Sequence, residues 1–426
     1  MLDIYFLRKN KEKVLLGLKK RKFKKLYLID EILMLYDEKK KMKISLNKIL
    51  ENENILSKKI SNIIKNNRDL SEIEYLKKNS IILKKKKKNI RNKLKKIFIS
   101  INKKLIYIPN IPNDNVKDNY EENNIIFKNE KIISNIKNPL PHWELSKKFN
   151  LFDLSLGSKI CKSGFAVYID KCAKLHRSLI QYFLDENINN SYKEYSLPYL
   201  INNISGYSTG QIPDKNNQMY FIEKDNFYLI PTGEIPLMNC YRNKIFKDTD
   251  LPIKSTTYTS CFRREAGSYG SKVRGLNRLH QFEKVEIIQI NIPENSTNSL
   301  YDMITHIKKI LKSLELPFRI IKLTAKNLSY SSSITYDFEV YSIAQKKWLE
   351  VSSVSNCNDF QSRRLNIKYK KRITGEVGYC HTLNGSSLAL PRILVTILEN
   401  NQTNNKITIP KVLIPYTGFC HIKNDL

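Results

Sequence analysis

The sequence predicts an α+β fold, an antiparallel β-sheet flanked by helices, preceded along the chain by an antiparallel helical coiled-coil hairpin. Three observations carry that expectation. Apolar residues recur with heptad spacing from Leu28 to Ile63 and again from Ile73 to Ile97. Strand-like runs then follow one another in mid-chain, without the regular helices between strands that mark a βαβ repeat. Helical periodicity returns in only a few separated stretches of the second half.

The hairpin comes first. Leu28, Ile32, Leu35, Met42, Leu46, Ile49, Leu56, Ile60 and Ile63 form one stripe, broken only at Lys39 and Glu53. Ile73, Leu76, Leu83, Ile90, Leu94 and Ile97 form a second, with Ser80 and Lys87 in the same register. Lys65-Asn66-Asn67-Arg68-Asp69 reads as a polar turn between them, so the two helices fold back on each other. Each would run ~50 Å at the helical rise per residue. This arm, about 28–98, sits in an N-terminal domain spanning 1–107. Its outward face is cationic, with Lys84 to Lys88, Arg91, Lys93, Lys95 and Lys96. A solvated dimerisation coil is the plainer use of such a face. A rigid basic rod joined to a catalytic body instead favours contact with nucleic acid.

Residues 108–141, from Ile108-Pro109-Asn110-Ile111-Pro112 to Pro141, are rich in Asn and Pro without periodicity and read as a linker. The body spans 142–426. A helix is expected over Lys171–Asp185, with Ala173, Leu175, Leu179 and Phe183 on one face. Strands are expected at Tyr195–Ile201, Tyr220–Ile230, Tyr258–Glu265 and His280–Ile290. A helix over Leu300–Leu314 precedes strands near Ile320–Leu323, Thr335–Tyr341 and Trp348–Ser353. A last helix begins near Pro391, where proline is tolerated in the first turn, and continues through Leu394 and Leu398.

Composition narrows the class of function. The 426 residues carry 74 Lys and Arg against 41 Asp and Glu, a formal charge of +33. That balance favours a polyanionic partner, although Lys, Asn and Ile crowd the whole chain as an AT-rich genome would dictate. Seven cysteines form no CxxC pair and no zinc spacing with the six histidines, which suggests reduced thiols in the cytoplasm. The first residues lack a signal-peptide core, and no apolar run approaches the ~20 residues that span a bilayer.

One motif is dismissed. Gly206-Tyr207-Ser208-Thr209-Gly210 fits the G-x-S-x-G nucleophile elbow, but loop residues follow it where a helix is required, and Ser208 reads as ordinary loop chemistry. No phosphate-binding P-loop and no G-x-G-x-x-G fingerprint appear. The informative stretch is Cys261-Phe262-Arg263-Arg264-Glu265 followed by Arg278-Leu279-His280-Gln281-Phe282-Glu283-Lys284-Val285-Glu286. Strand alternation puts Arg263 and Glu265 on one side of a first strand, and Phe282 and Glu286 on one side of a second. Gly267 to Gly275 is a loop between them with two further cations. A guanidinium, two carboxylates and an aromatic ring on one hairpin suit a triphosphate, an amine and a flat base together. Two more blocks accompany it. Gly378-Tyr379-Cys380-His381-Thr382-Leu383-Asn384-Gly385-Ser386-Ser387-Leu388-Ala389-Leu390-Pro391-Arg392 reads as a turn entering a helix. The helix from Lys171 leads to Tyr195-Ser196-Leu197-Pro198-Tyr199.

These blocks resemble motifs 2, 3 and 1 of class II aminoacyl-tRNA synthetases. Within that class the chain resembles the seryl-tRNA synthetase family over nearly its whole length, through Leu7-Arg8-Lys9-Asn10, the coiled-coil hairpin, His142-Trp143-Glu144-Leu145, Pro231-Thr232-Gly233-Glu234, Glu350-Val351-Ser352-Ser353 and Asp359-Phe360-Gln361-Ser362-Arg363-Arg364. The resemblance implies serine activation by ATP with Mg²⁺, transfer of the seryl group to tRNA(Ser) gripped by the arm, and a homodimer built through motif 1. It implies Arg263 between the serine carboxylate and the α-phosphate, with Arg264 beside it in the ATP site, Glu265 on the adenine amine, Phe282 stacked on the base, and Arg392 on the γ-phosphate. It places Glu350 and Ser353 on the metal, with Val351 and Ser352 in the same ATP-binding run. For serine it selects Thr232, Gly233, Glu234, Arg263, Glu286 and Ser386, and alternation prefers Glu286 to Glu283. Gly233 stands where alanine is usual in the family, which would loosen that loop. Asp337 and Glu339 read as strand-edge charges, Cys261 and Cys357 as buried fillers, and His280 and His381 as structural hydrogen bonders. The alternative is a synthetase-like paralogue that binds RNA or a carrier protein without charging tRNA.

Overall fold

The computed structural model describes all residues except 66–69, 119–123, 130–135, 215–216, 266–273 and 424–426. The chain divides into two compact units, Met1–Pro109 and Asn110–Leu426. In the first, α1 (Ile4–Lys9) and α2 (Lys11–Lys20) precede two long helices, α3 (Tyr27–Lys65) and α4 (Leu70–Leu105). Asp3 caps α1 by accepting the Phe6 amide at 2.7 Å, which satisfies one of the orphan N–H groups of the first turn.

The first long helix nearly coincides with its heptad stripe, the second runs on from Ile97 to Leu105, and the two lie antiparallel. Glu31 meets Lys104 at 2.5 Å, Lys39 sits 5.4 Å from the Phe98 ring centroid, and Glu53 meets Lys87 at 2.6 Å. Three of the polar interruptions of the apolar stripes, Lys39, Glu53 and Lys87, therefore each meet a partner across the pair. Glu53 and Lys87 hold each other where each helix alone would bury an unpaired charge, and Lys39 finds an aromatic face. A slip of one heptad would break all three contacts at once, so the charges fix register where the leucines and isoleucines alone would not. Of the predicted turn, residues 66–69 lie outside the described residues.

In the second unit an eight-stranded sheet organises everything else. Its strands are β1 (Ile125–Lys128), β2 (Lys193–Glu194), β3 (Ile253–Phe262), β4 (Gln281–Asn291), β5 (Phe318–Lys322), β6 (Ile334–Ser342), β7 (Lys347–Asn356) and β8 (His381–Ala389). They lie in the order β1-β5-β6-β7-β8-β4-β3-β2, with every pairing antiparallel except β2 with β3. The helices of this unit include α5 (His142–Phe149), α6 (Asp170–Asn189), α7 (Asn203–Thr209), α8 (Glu234–Asn239), α9 (Ser296–Ser313), α10 (Phe360–Leu365) and α11 (Leu390–Asn400); Leu154–Ile160 and Ile414–Thr417 are also helical. Leu175, Leu179 and Phe183 of α6, Met303, Ile307 and Ile310 of α9, and Leu394 and Leu398 of α11 share one core with Val285, Ile287, Phe318, Phe338 and Leu383 of the sheet. Each such side chain contributes about 1.5–3 kcal/mol by leaving water.

Several elements differ from the sequence reading, each for a physical reason. The run Tyr195–Ile201 holds only a two-residue strand at Leu200–Ile201, because Pro198 has no N–H for a ladder. Tyr220–Ile230 is two short strands around a turn with Asn226 at φ 56°. The stretch Gly378–Arg392 is not a turn into a helix: His381–Ala389 is β8, a central strand, and α11 follows it directly. Asn384-Gly385-Ser386-Ser387 has poor strand propensity, but a Cβ on Gly385 would come within 3.1 Å of Val354 and 3.2 Å of Met303, so the strand exists by close packing. The stretch read as a linker contains β1, paired with β5. Ser208 lies in helix α7, not a loop, and its hydroxyl donates to the Ile204 carbonyl at 2.7 Å.

The matched seam charges make a quantitative prediction. Glu53→Ala should destabilise the first unit by about 1–3 kcal/mol in urea unfolding, because it strands the Lys87 ammonium in the seam. Replacing both Glu53 and Lys87 with leucine should restore stability, at the cost of a less well-defined register. A single Glu53→Ala as stable as the parent would show that the pair does not hold the helices.

Candidate active site

The site is built on β4. This strand pairs with β3 on one edge, Phe282 opposite Cys261 and Glu286 opposite Thr257, and with β8 on the other, Glu286 opposite Ser386. Phe282, Lys284 and Glu286 are two apart and share one face. Glu283 faces the other way, within 3.3 Å of His176 on α6. Alternation therefore puts Glu286 on the face of Phe282 and Glu283 on the opposite face, as expected from a period of two.

Alternation fails for the first half of the hairpin. β3 ends at Phe262, and Glu265 takes φ 48°, so Arg263 and Glu265 are not a same-face pair on one strand. The backbone continues pairing for one residue, with the Arg263 amide donating to the His280 carbonyl at 2.8 Å. The Arg263 guanidinium then lies 5.1 Å from the Phe282 ring centroid while its Nε donates to the Pro231 carbonyl at 3.2 Å. Arg264 lies over Tyr220, 5.7 Å from its centroid. Glu265 accepts from Arg278 at 3.0 Å, a partner to which the sequence reading gave no role. Of the loop between the strands, residues 267–273 are outside the described residues.

Beside this ring and guanidinium are two buried carboxylates, Glu234 and Glu286, close enough for the charge of one to act on the other. Thr232 and Gly233 lead into α8, whose first residue is Glu234. Glu234 Oε1 accepts from Gln361 at 2.7 Å and from Asn384 at 2.8 Å, and Gln361 is itself oriented by accepting from Thr382 at 2.8 Å. Glu286 Oε1 accepts from Thr232 at 2.5 Å and from the Lys284 ammonium, while Oε2 meets the Ser386 hydroxyl at 3.5 Å. Each carboxylate thus has one oxygen held by two protein donors. Burial pushes Glu234 up to about 7, with the Glu286 charge adding to the effect and Gln361 and Lys284 opposing it. Gly233 does not loosen this corner. A Cβ there would meet Thr259 Oγ1 at 2.9 Å and Thr257 Cγ2 at 3.1 Å, so β3 already fills the space.

A second acidic group lies on β6 and β7. Glu350, Val351, Ser352 and Ser353 are consecutive on β7, with Val351 and Ser352 buried. Asp337 on β6 is the cross-strand partner of Ser353, and it is not the edge charge its sequence context suggested. Its Oδ1 is buried without a hydrogen bond, and burial followed by the Glu350 carboxylate pushes its pKa up to about 8. Arg392, in the first turn of α11, donates to the Glu350 carbonyl at 2.7 Å with Glu350 Oε2 at 3.9 Å. Ser352 ties this group to the first by donating to the Ser386 carbonyl at 2.5 Å. Glu350, Ser353 and Asp337 are hard oxygen donors, the set that suits Mg²⁺. No group of three or more His, Cys, Asp and Glu side chains among the described residues is arranged to hold a metal alone.

A buried polar network braces the end of the hairpin loop. His142 Nδ1 lies 2.6 Å from Glu399 Oε1, and its Nε2 accepts the Leu276 amide at 2.9 Å, which leaves the ring neutral with its proton on Nδ1. Gln345 joins Glu399 at 3.0 Å and Asn277 at 2.9 Å, and Arg274 stacks over Trp143 at 4.5 Å. Gly275 has φ 70°, and a Cβ there would strike His142 Nε2 at 2.0 Å, so glycine is obligatory. The conventional nucleophile candidates are inert. Burial raises the pKa of both Cys261 and Cys357, while His280 and His381 are each hydrogen-bonded at 2.7 Å to a hydroxyl, of Tyr220 and Ser296.

Of the expected residues, the structure gathers Arg263, Phe282, Thr232, Gly233, Glu234, Glu286 and Ser386 on one side, and Glu350, Ser353 and Arg392 on the other. It adds Lys284, Gln361, Asn384 and Asp337. The parity of β4 signals Lys284. Gln361 and Asn384 had no signal, because their meeting with Glu234 depends on the fold.

Comparison with known proteins follows the same lines. Residues 1–112 match the model of the seryl-tRNA synthetase N-terminal domain, and residues 220–401 match the class II tRNA synthetase core domain for G, H, P, S and T. The chain is 38% identical to a serine–tRNA ligase of Salinibacter ruber over 425 residues, covering 99% of each chain. It is 42% identical to that of Wigglesworthia glossinidia brevipalpis over 433 residues, covering 98% of each. Among solved structures, a seryl-tRNA synthetase from Pyrococcus horikoshii, crystallised with ATP, superposes with a TM-score of 0.92 at 30% identity over 99% of both chains. With these matches over nearly its whole length, and an antiparallel sheet carrying the motif residues, the chain belongs to the seryl-tRNA synthetase family as a class II aminoacyl-tRNA ligase for serine.

Proposed function

We propose that this chain activates serine with ATP, forming seryl-adenylate and pyrophosphate, and then passes the seryl group to the 3′-terminal ribose hydroxyl of tRNA(Ser). The observation that carries the proposal is the pair of buried carboxylates, Glu234 and Glu286, next to the Arg263 guanidinium and Phe282. Serine presents an ammonium, a hydroxyl and a carboxylate, and this site offers acceptors for the first two and a cation for the third. Thr232 and Ser386 complete the hydroxyl-reading wall, and Gly233 lets it stand close to β3. Alanine would leave those groups unpaired, which is the stronger form of discrimination.

Arg263 bridges the serine carboxylate and the α-phosphate, a role for a planar, always charged guanidinium. Phe282 stacks on the adenine, Glu265 accepts from its amine, Arg264 flanks the nucleotide, and Arg392 clamps the γ-phosphate from the start of α11. Glu350 and Ser353 hold Mg²⁺, with Val351 and Ser352 keeping that strand rigid beneath the nucleotide. The ion, when bound, neutralises charge on the triphosphate. In-line attack then depends on positioning and charge stabilisation, with no general base required. The helical arm, a coiled coil with a lysine-rich outer face, grips the tRNA, and two copies of the chain associate through the helix and strand near Lys171–Tyr199. The proposed reaction belongs with tRNA and ATP in the cytoplasm. No described helix is long and apolar enough to cross a membrane.

The direct test is ATP–pyrophosphate exchange with each of the twenty amino acids, for which exchange with serine alone is expected. Arg263→Ala should cut that exchange by at least ~10²-fold, the scale of a lost charge-stabilising donor. Near-normal exchange in the variant would remove Arg263 from the reaction.

Deleting residues 30–98 should spare exchange and abolish charging of tRNA. Charging that survived the deletion would make the arm a structural element only.

The raised pKa of Glu234, about 7, sets a pH dependence. An ionised Glu234 accepts the serine ammonium, and below that pKa the carboxyl must lose a proton to do so. The KM for serine should rise as pH falls below 7, approaching about tenfold per pH unit, while the KM for ATP stays nearly flat. A serine KM independent of pH in that range would contradict the assignment.

A further inference from the structure

The face of β4 that carries Phe282 and Glu286 also carries Lys284, which no role above uses. Lys284 is buried at 8% exposure, and Glu286 at 2%. Its ammonium contacts Glu286 Oε1 and lies 3.3 Å from Thr232 Oγ1. Between Lys284 and Glu286 the register against β8 shifts, with the extra residue on β8, while the ladder to β3 runs unbroken through both positions, so the two side chains stay on one face of a regular strand. A lysine seldom lies this deep unless something pairs with it, and here the partner belongs to the serine pocket.

We propose that Lys284 is a positioning residue of the serine pocket: its ammonium fixes Glu286 through Oε1, directing Oε2 to the substrate, and balances one of the pocket's two carboxylate charges so that a single further ammonium makes it neutral. This rests on the reading of the site as a serine pocket. Two ionised carboxylates facing each other out of water are costly, and without a resident cation one of them takes a proton instead. Glu234 and Glu286 count two negative charges, Lys284 counts one positive, and the serine ammonium supplies the second. Arg263, just past β3, is assigned to the substrate carboxylate and does not enter this sum. The other titratable neighbours, Cys261 on β3 and Cys357 after β7, stay neutral because burial raises their thiols. Lys284 also lowers the proton affinity of Glu234, whose second neighbour in charge is Glu286.

The geometry separates this role from the opposite one. A lysine that merely occupied the seat of the substrate ammonium would sit on the oxygens left for substrate. Lys284 instead shares Oε1 with Thr232, while Glu286 Oε2 meets only Ser386 among the described residues. The pocket is therefore pre-charged for an amino acid with one ammonium and an uncharged side chain.

The test is calorimetric titration of serine into the full-length protein and into Lys284→Met, which keeps the stem and removes the charge, from about pH 6 to about pH 9. Two buffers of different ionisation enthalpy count the protons exchanged. In the variant, serine should bind roughly tenfold or more weakly at pH 7, the scale of a lost charge-assisted hydrogen bond. It should release close to one proton on binding there and recover affinity towards pH 9. Lys284→Arg, which keeps the charge, should hold the parent's pH midpoint, and unchanged ATP affinity in both variants shows that the site is folded. Lys284→Gln replaces Lys284→Met if the latter does not fold. Equal or tighter serine binding by the neutral variant, with proton release no greater than the parent's, overturns the proposal. A parent protein that binds no serine at any pH overturns the serine-pocket reading itself, so the two failures are distinct.

Discussion

The constraint on which the rest depends is the position of β4 between β3 and β8. From Lys284 onward the strand is paired on both edges and cannot slip without losing two ladders, and Phe282 is held in the same register by β3, so Phe282, Lys284 and Glu286 keep a fixed spacing on one face. A slip of one residue would turn that face away and present Glu283 instead. Every other part of the site is placed against this row: Ser386 by direct pairing, Thr232 by its bond to Glu286, and Arg263 by the last backbone bond of the hairpin. The antiparallel sheet is therefore the ruler of the site as well as its support.

Holding carboxylates in such a place costs several kcal/mol per ion unless donors replace water. The protein supplies those donors with neutral groups where it can, Gln361 and Asn384 for Glu234, and Thr232 for Glu286. Fixed donors need no reorganisation when substrate arrives, which is the physical content of a preorganised site. The same economy appears on the neighbouring strands. There Arg392 is held against the Glu350 backbone, and Asp337 waits beside Ser353 with a buried oxygen unsatisfied. The long helices follow a related rule. Their charges at Glu53 and Lys87 are tolerated because they meet, and they set register because they must.

Much of this was legible in the sequence, for reasons of periodicity. Heptads gave the helical pair, and a period of two put Phe282 and Glu286 on one face and separated Glu283 from Glu286. What was not legible depended on contacts distant in sequence. Arg263 and Glu265 do not share a strand face, because β3 ends one residue before Arg263. The Asn384-Gly385-Ser386 run looks like a turn by propensity and is a central strand because Val354 and Met303 press on Gly385. Asp337 looked like an edge charge because nothing local reveals that Ser353 and Glu350 lie beside it. Gln361 reaches Glu234 across 127 residues of chain, a meeting no local pattern encodes.

The central claim is that Glu234 and Glu286 each keep one oxygen for the protein and one for serine. The most direct measurement is a crystal structure of the protein with a non-hydrolysable seryl-adenylate analogue. The account predicts that the seryl ammonium and hydroxyl lie within hydrogen-bond distance of the two carboxylates. It also predicts that Glu286 Oε1 remains on Thr232 and Lys284, and that Glu234 Oε1 remains on Gln361 and Asn384. A seryl group seated elsewhere, or one whose ammonium displaces Lys284 from Glu286 Oε1, would contradict it.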